Sequence, residues 1–273
     1  MSSYDVVICG AGIAGIAAAD ALTARGASVL LVDERPPLSL TSDKSSECDR
    51  NWWPGPDNAM IALMNRSIDL IEALALETQN AIALNRRGYL YVTVDPDRVA
   101  LLRRAGEEAA ALGAGALRIH TSADTYTPHS AHGFTAQPDG ADLILNQDVL
   151  RRTFPYLTET AAAALHARRC GWLSAQQLGM TLLERACRRG MQLARARVEA
   201  VDIRDGRVAA VWLDSRRVVT RGFVNAAGPF LRRVGRMVGV DLPVFSKRHL
   251  KVAFEDHLGI IPRDAPLLIC ADP

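Results

Sequence analysis

The chain has 273 residues, 32 basic and 30 acidic side chains, and a formal net charge of +2. This length allows one large domain or two smaller ones, and the near balance of charge argues against nucleic acid or an acidic membrane surface as a partner. The apolar stretches are too short for a transmembrane segment, and no signal peptide stands before the first of them. The 5 cysteines are widely spaced, with no CxxC pair and no metal-ligand cluster. We therefore expect a cytoplasmic protein with reduced thiols and no metal site.

The first element is an apolar strand, at about residues 4–9, that runs into glycines with the spacing GxGxxG. Gly10 permits a tight turn, Gly12 lets the backbone approach a pyrophosphate, and Gly15 lets the following alanine-rich helix pack closely. The helix N-terminus favours phosphates, and a second strand ends at Asp33, whose carboxylate suits ribose hydroxyls. The pattern predicts a bound dinucleotide, and a purely structural glycine turn is the alternative.

Further along the chain, helix and strand patterns alternate, which favours an α/β fold. Apolar periodicity predicts helices at about residues 58–77, 97–112 and 175–189. Strands are predicted at residues 89–94, 196–201, 208–213, 222–229, 248–254 and 266–270. Residues 35–46 and 121–140 have the composition of loops.

The predicted strand at residues 222–229 ends in small residues, as is needed where a backbone passes close to a cofactor. A tight strand-to-helix corner is the alternative. With this motif downstream of the GxGxxG unit, the chain resembles the FAD-dependent oxidoreductases of the D-amino-acid oxidase, glycine oxidase and sarcosine oxidase superfamily. The resemblance rests on residues 7–15, 31–33, 41–50 and 224–229.

The resemblance implies an α/β, or α+β two-domain, architecture: a Rossmann-like FAD-binding domain with an inserted mixed-sheet substrate domain. We expect FAD-binding segments at residues 1–85 and 173–238, and substrate-domain segments at residues 86–172 and 239–273. Members of the superfamily normally continue past a point like Pro273 and return to the flavin domain. We therefore expect that the chain lacks a C-terminal part.

The resemblance also implies which residues hold FAD. The glycines would line the pyrophosphate, and the serine-rich loop would run beside the phosphates and the ribityl chain unless it is a mobile surface loop. The strand at residue 198 would meet the adenine. The expected cofactor-binding residues are Gly10, Gly12, Ile13, Ala14, Gly15, Asp33, Glu34, Ser42, Lys44, Ser45, Ser46, Val198, Ala226, Ala227 and Gly228.

Arg50 is the expected substrate-binding residue. It is similar in position to an arginine that, in sarcosine-oxidase-like enzymes, faces the flavin and holds the substrate carboxylate, a role that suits the planar guanidinium. The alternatives are an exposed arginine or one paired with Asp49 or Glu47. Trp52 and Trp53 would wall the same site or pack in the core.

The implied reaction is oxidation of the C–N bond of an amino acid or secondary amine by hydride transfer to the flavin. No side-chain base is required when the amine arrives neutral, and the sequence singles out no catalytic acid or base. Two alternatives are a non-catalytic FAD-binding assembly or scaffold protein and an NAD-dependent dehydrogenase. The sequence names no electron acceptor.

Overall fold

A computed structural model describes residues 3–53, 57–123, 125–130 and 132–272. In chain order, its strands are β1 (Ser3–Cys9), β2 (Val29–Asp33), β3 (Cys48–Arg50), β4 (Tyr89–Thr93), β5 (Leu117–His120), β6 (Ala141–Ile144), β7 (Ala163–Ala167), β8 (Cys170–Trp172), β9 (Gln192–Arg195), β10 (Val198–Arg204), β11 (Arg207–Leu213), β12 (Arg216–Asn225) and β13 (Leu267–Cys270). Its helices are α1 (Ile13–Thr23), α2 (Ala59–Glu77), α3 (Val99–Ala109), α4 (Gln147–Thr153), α5 (Ala175–Arg188) and α6 (Leu231–Arg236). None of these helices combines the length and apolar character that crossing a bilayer requires.

The chain divides into two compact units, and it passes twice through each of them. The first unit comprises residues 1–46 and 175–252, and the second comprises residues 47–174 and 253–273. The architecture is therefore a Rossmann-like domain with an inserted domain built on a mixed sheet. Residues 47–85, which we expected in the FAD-binding domain, pack with the second unit. The predicted boundaries of the functional domains stay a prediction.

The first unit is built on a six-stranded sheet in the order β10-β11-β12-β1-β2-β9. The four strands from β12 to β9 are parallel, and β10, β11 and β12 form an antiparallel meander. Successive side chains of a strand point to opposite faces, so Ile8 and Val7, both fully buried, belong to two different apolar cores. The first of these cores contains side chains of α1 and α5. This arrangement places the carboxyl ends of β1, β2 and β12 at one edge.

The second unit contains a five-stranded mixed sheet in the order β13-β4-β7-β6-β5. Side chains from α2 and α3 pack in the core on one face, and the apolar side chains of α4 pack in the core on the other. A separate two-stranded ladder pairs β3 with β8 and sets Arg50 opposite Cys170. Arg50 therefore lies in a strand that is fixed by backbone pairing.

The prediction of a strand at residues 248–254 is wrong, because no regular secondary structure forms there. Leu250 and Phe254 are 89% and 86% exposed. The alternation of polar and apolar residues indicated a strand, but a strand also needs a neighbour with which to exchange backbone hydrogen bonds. Within the described ranges, no strand pairs with this segment. The predicted helix at residues 97–112 is confirmed: a 3₁₀ turn at Pro96–Arg98 leads into α3, a π-helical turn follows at Ala110–Ala114, and Gly113 breaks the helical backbone with a φ of +101°.

Asp49, in the second unit, is a half-buried residue with one buried carboxyl oxygen. Its Oδ1 has no hydrogen-bond partner among the described residues. Burial raises the pKa of Asp49 to about 7, and the charge of Glu72 raises it further against the opposing guanidinium groups of Arg86 and Arg169. The folded protein thus keeps a proton on Asp49 at pH values where the unfolded chain has lost it.

We expect Asp49→Asn to stabilise the protein at pH 8 and to have little effect near pH 4. Because the pKa is raised in the folded state, the unfolded state binds fewer protons between about pH 4 and pH 7, and stability falls over that window. The asparagine removes this penalty, so the free energy of unfolding at pH 8 should rise by about 1–3 kcal/mol. Urea denaturation at pH 4 and at pH 8 measures the free energy of unfolding. Asp69→Asn, at a half-exposed partner of Arg169, is the control and should not raise the free energy of unfolding. An equal rise for Asp49→Asn at pH 4 and pH 8 would contradict the raised pKa of Asp49.

Candidate active site

The chain turns sharply where β1 ends. Gly10 has a φ of +110°, and a Cβ there would overlap the carbonyl group of Ala226. A Cβ at Gly15, in the first turn of α1, would overlap the carbonyl oxygen of Gly10. Glycine is therefore required at both positions, and it brings β1, α1 and the end of β12 to backbone contact.

At Gly12, in contrast, there is space where a side chain would project. A Cβ there would meet only the Ser42 Oγ, at 3.2 Å. That Oγ accepts a hydrogen bond from the Ile13 N–H at 3.0 Å, and so Ser42 caps α1 from another part of the chain. The first N–H groups of a helix have no intrahelical partner, and its dipole is positive at this end. The turn therefore presents an anion-binding surface.

Asp33, at the carboxyl end of β2, lies beside this turn. Its Oδ2 accepts a hydrogen bond from the Ala11 N–H at 2.8 Å, and its Oδ1 accepts one from the Arg35 N–H at 2.9 Å. An ionised carboxylate has about four lone-pair sites, so both oxygens retain capacity for further donors. Asp33 is thus held in place and can still accept hydroxyl groups.

Two cavities open at this edge of the sheet. The first is lined by Gly10, Ala11, Gly12, Asp33, Arg35, Pro36, Leu38, Ser39, Leu40, Thr41, Ser42, Ala226, Ala227, Gly228, Pro229 and Phe230. The second is lined by Cys9, Gly10, Val32, Asp33, Glu34, Ala196, Arg197, Val198, Ala227, Phe230, Arg233, Val234 and Met237. Four residues line both cavities, so together they form one cleft across the carboxyl ends of β1, β2 and β12.

Cys9 lines the second cavity, and its thiol adds no negative charge there. Burial, with the nearby charges of Asp33 and Glu34, raises the pKa of Cys9 to about 12. Cys9 therefore stays protonated at neutral pH. No three His, Cys, Asp or Glu side chains of the described residues group to hold a metal ion.

Most of the predicted cofactor residues come together in this cleft. Those that line it are Gly10, Gly12, Asp33, Glu34, Ser42, Val198, Ala226, Ala227 and Gly228. The predicted residues Ile13, Ala14 and Gly15 form the first turn of α1 next to it. The remaining three, Lys44, Ser45 and Ser46, are exposed and lie outside the lining.

Sequence reasoning missed the other walls of the cleft. Phe230 lines both cavities, and the Arg35 guanidinium lies 5.9 Å from its ring centroid. Met237 and Arg233 line the second cavity. A single aromatic or basic residue after a strand carries no spacing signal, and only the short helix at Leu231–Arg236 places these side chains here.

Arg50 belongs to the second unit, where aromatic side chains surround it. Its guanidinium lies 4.6 Å from the ring centroid of Trp53 and 6.0 Å from that of Tyr89. Its Nη1 lies 3.5 Å from the Tyr91 hydroxyl oxygen. In the part of the chain that the structure describes, no carboxylate lies within ion-pairing distance of it, so the ion-pair alternatives are not found. Trp52 is a core residue. That Arg50 faces the flavin stays a prediction.

Comparison with known proteins covers nearly the whole chain. A sequence model of the family described as FAD dependent oxidoreductase matches residues 5–269. L-proline dehydrogenase from P. horikoshii is similar at 20% sequence identity, over 88% of this chain and 56% of that chain, with a TM-score of 0.71. Glycine oxidase from Geobacillus kaustophilus is similar at 20% identity, over 90% of this chain and 60% of that chain, with a TM-score of 0.72. L-amino acid deaminase from Proteus myxofaciens is similar at 19% identity, over 89% of this chain and 49% of that chain, with a TM-score of 0.70. No curated protein sequence gives a significant match. The chain thus shares the fold of these structures and spans between about half and three fifths of their length.

Proposed function

The chain belongs to the family of FAD-dependent oxidoreductases, and on this premise we propose that it binds FAD in the cleft of the first unit and oxidises the C–N bond of an amino acid or secondary amine. The observation that carries the proposal is the glycine turn. Gly10 and Gly15 close the backbone around β1 and α1, while Gly12 leaves the helix N-terminus open to the cavity. A dinucleotide pyrophosphate needs this combination.

The residues of the cleft fit the different parts of FAD. The N-terminus of α1, with Ser42 beside it, would hold the phosphates. Asp33 would accept hydrogen bonds from the ribose hydroxyls with its remaining lone pairs. Val198 and the adjoining wall of the second cavity would receive the adenine. The family is FAD-dependent, which favours FAD over a nicotinamide cofactor.

The proposed substrate class draws support from the neighbours and from Arg50. By their names, the three solved structures act on proline, on glycine and on amino acids. Bound FAD would supply the two-electron chemistry of C–N oxidation. Arg50 would bind the carboxylate of the substrate, since its guanidinium is held against Trp53 and has no carboxylate partner among the described residues. A guanidinium binds such a group through two parallel hydrogen bonds.

Two measurements test the proposal. Cofactor released by heat from the purified protein should migrate as FAD on chromatography, and recovery of NAD alone would overturn the cofactor assignment. Anaerobic mixing with a panel of amino acids and N-methylated amino acids should bleach the flavin absorbance for at least one of them. A yellow protein that no amine bleaches would instead indicate a non-catalytic FAD-binding role.

Ser42→Ala should weaken FAD binding without abolishing it. The hydroxyl is one partner at the phosphate end of the cleft, and a single hydrogen bond contributes about 0.5–1.5 kcal/mol, which corresponds to roughly a 2- to 12-fold rise in Kd. Titration followed by flavin fluorescence measures it. Ser67→Ala, on α2 in the second unit, is the matched control, and equal affinities of both variants would exclude Ser42 from the phosphate site.

A further inference from the structure

A buried polar cluster lies in the second unit, on β5, β6 and the turn that follows β7. Its centre is Asp142, which is 1% exposed. The carboxylate accepts hydrogen bonds from Arg118 Nε at 2.6 Å, from Arg118 Nη2 at 3.0 Å and, if this nitrogen carries the proton, from His120 Nε2 at 2.8 Å. Arg168 Nε is a further donor to it. All four lone-pair sites of Asp142 are thus engaged.

Asp142 is ionised in this setting. Burial opposes its ionisation, but hydrogen bonds from Arg118 and His120 and the charge of Arg168 hold its pKa below the usual range. The cluster therefore sets two guanidinium cations against one carboxylate. The Arg168 side chain is buried, whereas the Arg118 side chain is 38% exposed, so the excess positive charge lies at the boundary between the interior and the solvent.

Arg168 has donor capacity left over. Its side chain is 3% exposed, and its guanidinium lies 4.9 Å from the ring centroid of Tyr126. Nε donates to Asp142 and Nη2 donates to the carbonyl oxygen of Thr127, but Nη1 is buried without a hydrogen-bond partner among the described residues. A buried charged donor without an acceptor is costly, and so an acceptor at this point would stabilise the protein.

An open cavity lies against these groups. Arg118, Asp142 and Arg168 line it together with polar side chains of the loop between β5 and β6, namely Thr125, Thr127 and Gln137. Hydroxyl and amide groups are suitable partners for a small oxyanion. The two arginines that give the cluster its excess positive charge thus both line the cavity, and one of them, Arg168, has an unpaired guanidinium nitrogen.

We propose that this cavity binds a small oxyanion, a carboxylate or a phosphate, with Arg168 as its principal partner. The site lies within the second unit and is distinct from the cleft of the first unit. It does not depend on the proposed oxidoreductase function. Occupancy would complete the hydrogen bonding of Arg168 and neutralise the cluster.

The test is titration of the full chain with inorganic phosphate and, separately, with acetate at constant ionic strength. Excess FAD is present, and the titrations are repeated in the Gly12→Val background, so that the N-terminus of α1 does not compete for the anion. Saturable shifts of the ¹⁵N signals of the Arg168 and Arg118 side chains are expected for at least one anion. The anion that saturates identifies the class of ligand.

Variants that change the charge at the cavity wall test whether the anion binds in this cavity. Gln137→Glu should raise the Kd about tenfold through like-charge repulsion, and Gln137→Arg should lower it. Ala62→Glu, on the exposed side of α2 in the same unit, adds the same charge elsewhere and should leave the Kd unchanged. The site is refuted if neither anion saturates, if the two glutamate variants behave alike, or if binding is lost in the Gly12→Val background. If one Gln137 variant fails to fold, the other still gives the sign of the effect.

Discussion

Replacing Gly12 with valine is expected to abolish retention of FAD. The missing Cβ of Gly12 is open to the cavity, with Ser42 Oγ as its one close neighbour, so a branched side chain would fill the space where the pyrophosphate meets the helix N-terminus. We expect the Kd for FAD to rise about 100-fold or more, equivalent to roughly 3 kcal/mol. The ratio of flavin to protein absorbance after purification, followed by titration with added FAD, measures the loss.

A matched variant separates this effect from damage to the helix. Ala21→Val adds a β-branched residue to the exposed side of α1, where it lowers helix propensity without entering the cleft. It should keep its flavin. If Gly12→Val retains FAD at the level of Ala21→Val, the turn does not hold the pyrophosphate.

Arg50→Ala is expected to weaken substrate binding by about one to two orders of magnitude. A charge-assisted hydrogen bond to a carboxylate contributes roughly 1.5–3 kcal/mol, and the aromatic neighbours of Arg50 cannot replace it. FAD content should stay unchanged, because Arg50 would contact the substrate and not the cofactor. Steady-state kinetics with the best amine substrate, alongside the flavin-to-protein ratio, give both quantities.

The conservative variant sharpens this prediction. Arg50→Lys keeps the charge but loses the planar fork, so it should recover only part of the affinity. Arg66→Ala, at an exposed position of α2, is the control. Unchanged apparent affinity in Arg50→Ala, or loss of its flavin, would assign Arg50 to the structure of its loop.

The N-terminal βαβ unit could be predicted residue by residue, because its signals are local. Strand periodicity, glycine spacing and an acid at the end of β2 all lie within about thirty residues of one another. The helices α2 and α5 could be predicted for the same reason, since an apolar face repeats along each of them. Local signals therefore predicted the position of the cleft and many of the residues that line it.

Local sequence signals do not predict several features of the second unit. Strand β7 (Ala163–Ala167) is made of three alanines, a leucine and a histidine, which have little strand preference. It forms because β4 and β6 supply hydrogen bonds on both sides. The Asp142 cluster likewise joins residues that are 22 to 26 positions apart, and no spacing in the sequence indicates that they meet. In contrast, residues 248–254 have the local pattern of a strand but pair with no described strand.

The central position of β1 also determines when the cleft can form during synthesis. Strand β1 is bordered by β2 on one side and by β12 on the other, and β12 begins at Arg216, 183 positions (216 − 33) after the end of β2 at Asp33. At translation rates of about 5–20 residues per second, roughly 10–40 s pass between the two. During this interval one edge of β1 has no partner strand, and the turn at Gly10 has no wall from Ala226 and Ala227. If the cleft binds FAD as we propose, binding must wait until residues 216–228 have been synthesised, and the N-terminal segment must be kept from aggregating until then.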